Sequence, residues 1–170
     1  MNFLIYSYIS TIMILMLEKI RNMLMSSNRF WSLAFCGILT TFPHELAHYI
    51  VAFITGGKPE GISLLPKKEI ENGNIYWRLG YVRAYIGKIN GFWIGIAPIV
   101  WIIVGFLVAK YFFMYFEVNC MNTLLFYFIE YLCITNGIPS KQDLKVAFSS
   151  NLIVNLIIII IGGLIWKKLI

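Results

Sequence analysis

Residues 30–55 read FWSLAFCGILTTFPHELAHYIVAFIT, and Gly56-Gly57 follow. The stretch predicts one long apolar helix. At about 1.5 Å per residue it would run roughly 39 Å, more than the roughly 30 Å hydrocarbon core of a bilayer. The glycine pair marks its C-terminal end. Inside the run stand Pro43, His44, Glu45 and His48, and the chain has two histidines in all. Two imidazoles and a carboxylate at membrane depth cost several kcal/mol unless paired or bound to a metal, so they point to function.

Outward from this segment, the composition sets the class. Of 170 residues, 59% are apolar and 13% charged, with mean hydropathy +0.77. An average soluble domain is about half apolar and about a quarter charged. These figures exclude an ordinary soluble domain and a disordered chain. The net charge is +6, but the 14 basic residues are scattered between apolar runs, as flanks of membrane spans are. No basic cluster suited to nucleic acid occurs, so a nucleic-acid partner is not expected. Cys36, Cys120 and Cys133 lie in or beside apolar runs without a C-x-x-C pair, and read as buried, inert thiols.

The predicted fold is an all-α membrane protein, a polytopic bundle of about five hydrophobic segments with a small β-hairpin insert. Residues 1–29 form an N-terminal part, an apolar helix over 2–17 and a polar link over 18–29. Residues 30–170 form the membrane-embedded core. Asn72-Gly73 predicts a hairpin turn between β-prone runs at 62–65 and 75–86, in a sheet at the membrane face. Residues 91–116 read as a clear span, 121–135 as a shorter span carrying Glu130, and 151–166 as the last apolar run. Ser140 and Asp143 resemble a capping pair, so the final helix would start well before 151.

His44 and His48 lie one turn apart on the same side of a helix, where they can grip one zinc ion. Glu45 points near the metal without needing to bind it. There it can take a proton from a water on the metal and return it to a leaving amine. This is the H-E-x-x-H pattern of zinc metallopeptidases. Pro43 removes the amide that would bond the Leu39 carbonyl, so the helix should kink or open there. That kink reads either as water access to the zinc or as ordinary punctuation of a membrane helix.

A catalytic zinc site needs a third protein ligand and an open position. Asp143, Glu130 and a cysteine are the candidates. Asp143, the one aspartate of the chain, is preferred, with helix capping as its other reading.

A membrane-embedded H-E-x-x-H, a Gly-Gly exit into a small sheet, and a later Asn136…Pro139…Asp143 segment together resemble the site-2 protease family of intramembrane zinc metallopeptidases. Leu144 stands where that family has glycine, and the Pro-to-Asp spacing is one residue shorter. The resemblance implies His44, His48 and Asp143 as zinc ligands and Glu45 as general base. For Asn136 it implies a part in holding the substrate backbone or the oxyanion.

The expected function is therefore a zinc-dependent endopeptidase, integral to the membrane and multi-pass, in a bacterial cell membrane. It would hydrolyse membrane-anchored protein substrates near one membrane face, with the lipid bilayer and a regulatory membrane partner around it. Two alternatives stand beside this. One is an inactive, chaperone-like membrane-binding relative. The other is a small transporter whose path is lined by Glu130 and the histidines.

Overall fold

The computed structural model describes residues 3–26, 29–63, 65–71 and 74–169. The chain is mostly helical with a small antiparallel β insert, as the sequence predicts. Helices α1 (Phe3–Ser26), α2 (Phe30–Thr40) and α3 (Phe42–Ile54) come first. Strands β1 (Gly61–Ser63), β2 (Lys67–Glu71), β3 (Asn74–Arg78) and β4 (Tyr81–Arg83) follow. Helix α4 (Asn90–Ile96) then runs through a 3-10 turn (Ala97–Ile99) into α5 (Val100–Tyr115). Helices α6 (Cys120–Gly137), α7 (Lys141–Ser149) and α8 (Leu152–Leu169) complete the order.

The stretch 18–29, expected to be a link, instead continues α1 as far as Ser26. Glu18 accepts from Arg21 at 2.5 Å and from Asn22 at 3.3 Å, pairs at helical spacing that hold this polar end together. Glu18 also accepts from the Tyr131 hydroxyl at 2.9 Å, which ties α1 to α6.

The single helix expected over 30–55 is two helices that meet at Thr41. Proline is the cause, because Pro43 has no N–H for the Leu39 carbonyl. Helical bonds persist on both sides of the break. Thr41 N–H donates to the Gly37 carbonyl and Glu45 N–H to the Thr41 carbonyl, both at 2.9 Å. Helix α3 ends at the glycine pair, as predicted. Gly56 takes the left-handed conformation at φ +75°, and Gly57 N–H reaches back to the Ala52 carbonyl at 2.7 Å.

The insert is a nested pair of two-stranded ribbons. Strand β2 pairs with β3, running from Lys67↔Arg78 to Glu71↔Asn74, and β1 pairs with β4 over Gly61↔Arg83 to Ser63↔Tyr81. The Asn72-Gly73 turn and Leu64 lie outside the described residues. Of the run at 62–65, Ile62 and Ser63 pair within 75–86 as expected, with Val82 and Tyr81. Between them and the turn lies the charged strand 67–71, which pairs with β3 and is held by the Glu69–Arg78 ion pair at 2.9 Å and by Lys68 over the Trp77 ring. Strand β4 lies against α3, so the insert covers the His44 helix.

A long final helix starting before 151 is also corrected. The start at Ser140 is right, but α7 and α8 are separate and bent by 84°. Ser150 is extended, and Asn151 begins α8 anew. Its side chain accepts from Val154 N–H, and its own N–H donates to the Lys88 carbonyl at 2.6 Å.

By length and apolarity, one described helix can cross a membrane, Asn90–Tyr115, or two if the bent pair counts as one span. That is fewer than the five crossings expected; the Thr41 break divides the 30–55 run, and α8 meets α7 at the 84° bend. Large apolar side chains nevertheless lie exposed on many elements. Ile157 to Ile161 are exposed at five successive positions of α8, so that helix is apolar around its whole circumference.

Helix α7 packs most closely on α4. A Cβ on Gly95 would stand 2.5 Å from the Asp143 carbonyl oxygen and 2.8 Å from Ala147 N, so no larger residue fits unless α7 moves away. Gly95→Ala is expected to destabilise the fold by about 1–3 kcal/mol through overpacking. Thermal melting in detergent micelles checks this, and an unchanged melting temperature would contradict so close a contact.

Candidate metal centre

Helix α3 carries both histidines on one side, with ring centroids 4.9 Å apart and ring planes at 75°. Each ring is fixed by a backbone carbonyl. Nδ1 of His44 lies 3.0 Å from the Asn136 carbonyl oxygen, and Nδ1 of His48 lies 2.7 Å from the Ile94 carbonyl oxygen. A carbonyl only accepts, so both Nδ1 atoms carry the proton. In neutral rings, both Nε2 atoms then offer lone pairs.

Those lone pairs converge with a carboxylate. The two Nε2 atoms are 3.2 Å apart. Asp143 Oδ2 lies 3.1 Å from His44 Nε2, and Asp143 Oδ1 lies 3.2 Å from His48 Nε2. Three acceptors facing one another repel unless positive charge lies between them. One proton on one Nε2 can bond Asp143 and face the other ring, whereas protons on both would bring two N–H groups of like charge to 3.2 Å. One metal ion satisfies all three at once. Among the described residues, His44, His48 and Asp143 form the one group of three such side chains that could hold a metal ion.

The capping reading of Asp143 holds, and the cap leaves its carboxylate facing the two rings. As the third residue of α7 it completes a capping box, since its N–H donates to Ser140 Oγ at 3.2 Å and its Oδ2 accepts from Ser140 N–H at 2.7 Å. The cap fixes the carboxylate, and the close fit of α7 on α4 aims it at α3. The His48 side chain is 8% exposed, against 15% for His44 and 16% for Asp143, so the cluster is reached from one side only. That side is a cleft lined by Thr41, Tyr81, Thr135, Gln142 and Val146, among others. Glu45 shares the cleft with Val82 of β4.

The remaining candidates lie elsewhere. Glu130 does not join the cluster. Its carboxylate lies beside Gly105 of α5, and its Oε1 is buried with no hydrogen-bond partner. Cys36 and Cys133 are buried, as expected, but Cys120 is exposed at the start of α6, a correction that follows from its place at a helix end. No cysteine belongs to the three-residue group. Asn136 is 1% exposed, and its Nδ2 donates to the Leu39 carbonyl at 3.1 Å and the Leu132 carbonyl at 2.8 Å.

Searches against protein families, characterised proteins and solved structures find no match. The reading of the centre therefore rests on its own geometry.

Sequence reading missed the carbonyls that hold the rings, and Trp101, whose Nε1–H donates to the Pro43 carbonyl at 2.8 Å. A signal existed for one of them. Pro98 lies four residues after Ile94 and so cannot give the Ile94 carbonyl its helical donor. That carbonyl accepts from Ala97 N–H and from His48 instead.

Asp143→Ala is expected to lose most of the bound divalent metal, because two imidazoles alone leave the site one ligand short. Glu130→Ala is expected to retain it. Elemental analysis of the purified proteins checks both, and the reverse pattern would move the third ligand to Glu130.

Proposed function

We propose that this chain is a zinc-dependent endopeptidase embedded in the bilayer, cutting membrane-anchored protein segments near one membrane face. The observation that carries the reading is the placing of Glu45 in one cleft with a convergent His44–His48–Asp143 set. The donor chemistry supports zinc. Tetrahedral zinc with bonds of about 2.0–2.2 Å needs ligand atoms roughly 3.3–3.6 Å apart. Here the two Nε2 atoms are 3.2 Å apart, and each meets its own Asp143 oxygen, Oδ2 at 3.1 Å from His44 and Oδ1 at 3.2 Å from His48. Two imidazoles and one carboxylate would supply three ligands and leave one position for water or substrate, as catalytic zinc sites do. When bound, zinc would supply Lewis-acid polarisation of a peptide carbonyl and make its water a stronger nucleophile near neutral pH.

The protein's own residues supply the rest. Carbonyls 136 and 94 hold both imidazoles in the tautomer that leaves Nε2 free. The Ser140 cap holds the Asp143 carboxylate. Glu45, in the same cleft, takes a proton at its carboxylate and returns it to the leaving amine. Strand β4 beside Glu45 walls the cleft with Tyr81 and Val82.

A membrane location is supported by the Asn90–Tyr115 span and by the exposed apolar faces. An isoleucine-covered helix such as α8 suits lipid better than water. A multi-pass arrangement follows if α2–α3 and α7–α8 enter the bilayer as bent segments, which is tolerated where freed backbone groups find partners in the protein.

Glu45→Gln is expected to keep the metal while cleavage of a membrane-anchored substrate falls at least about 100-fold, since an amide cannot take the proton. Metal content and cleavage are measured on one preparation. Near wild-type cleavage by this variant would rule out Glu45 as the base, and with it the proposed mechanism.

A further inference from the structure

We propose that Asn136 is a positioning residue for the metal centre, acting through the Leu39 carbonyl, and not a group that holds substrate or the oxyanion. The proposal rests on the metal-binding reading of His44, His48 and Asp143. An oxyanion needs N–H or O–H donors. The Asn136 side chain has two N–H bonds, and both are spent, on the Leu39 and Leu132 carbonyls. Its Oδ1 is an acceptor, which repels an oxyanion, and it is buried with no partner. Flipping the amide would aim that oxygen at two carbonyl oxygens, so the hydrogen bonds fix the amide as described. At 1% exposure the residue does not line the cleft.

What Asn136 does touch lies on both sides of the helix break. Leu39 is the residue whose carbonyl loses its helical donor to Pro43. A buried carbonyl without a donor is costly, and the Asn136 amide supplies one from α6. The main-chain carbonyl of the same residue takes the proton of His44 Nδ1 at 3.0 Å. One residue therefore ties down the end of α2 with its side chain and the first metal-binding ring of α3 with its backbone. Losing the side-chain bond leaves the Leu39 carbonyl without a donor at the break where α3 begins, so the start of α3, with His44, shifts against carbonyl 136. The hydrogen-bond partners of metal-binding rings affect metal affinity in this way.

The test is Zn2+ affinity, measured by competition with a chromophoric chelator on the full chain in detergent micelles, with cleavage followed at saturating Zn2+. Asn136→Ala and Asn136→Asp, which both lack the donated N–H, are expected to bind Zn2+ about 10-fold or more weakly. Cleavage should recover when Zn2+ is saturating. Unchanged affinity with cleavage lost even at saturating Zn2+ would overturn the proposal in favour of a substrate or oxyanion role. Unchanged affinity and unchanged cleavage would overturn it as well. A Pro43→Ala background supplies a specific rescue, because alanine restores the backbone N–H that serves the Leu39 carbonyl. There, adding Asn136→Ala should change Zn2+ affinity by no more than about twofold, a coupling between positions 43 and 136 that independent sites would not show. A loss as large as with proline present overturns the proposal, as does a double variant that fails to fold or a Pro43→Ala parent that binds no Zn2+. Wild-type protein that binds no Zn2+ defeats the metal-binding reading itself, a result distinct from wild type and Asn136→Ala binding equally well.

Discussion

Two imidazole nitrogens and a carboxylate aimed at one point repel one another, and much of this fold serves to hold them there. His44 and Asp143 are 99 positions apart in the chain and 3.1 Å apart in space. Four helices close that gap. Helix α3 sets the spacing of the rings, α6 and α4 supply the carbonyls that orient them, and α7 brings the carboxylate. Without a cation between the three acceptors, the arrangement costs energy that its supporting hydrogen bonds would have to offset.

The supports share one origin. Proline removes a backbone donor, and the carbonyl four residues earlier then needs another partner. At Pro43 the freed Leu39 carbonyl finds Asn136, and at Pro98 the Ile94 carbonyl finds His48. At the end of α6 the Asn136 carbonyl finds His44 in the same manner, because helix ends leave carbonyls without intrahelical donors. In an apolar bundle such groups have little water to turn to. Bonding them to the site satisfies the backbone and fixes the ring tautomers together.

Much of this was legible in the sequence. The H-E-x-x-H spacing fixed the faces of His44 and His48, Gly56-Gly57 marked the end of α3, and Ser140 with Asp143 marked the start of α7. Each is a local signal that depends on residues within one or two turns. What the sequence did not convey depends on distant partners. The 18–26 segment is polar yet helical, because Glu18 pairs with Arg21 and reaches Tyr131. The 67–71 strand is charged yet paired, because β3 lies beside it. Backbone carbonyls carry no side-chain identity, so the acceptors at 94 and 136 were invisible to a residue-by-residue reading. Asn136 was singled out for the right neighbourhood, but its hydrogen bonds run to the backbone of α2 and α6.

X-ray absorption at the zinc edge, on purified full-length protein loaded with one equivalent of Zn2+, tests the centre most directly. The expected spectrum has two imidazole nitrogens and oxygen ligands at about 2.0–2.2 Å, with no sulfur shell. A sulfur shell at about 2.3 Å, or zinc with a hydrated-ion spectrum and no imidazole scattering, would contradict a His44–His48–Asp143 metal site.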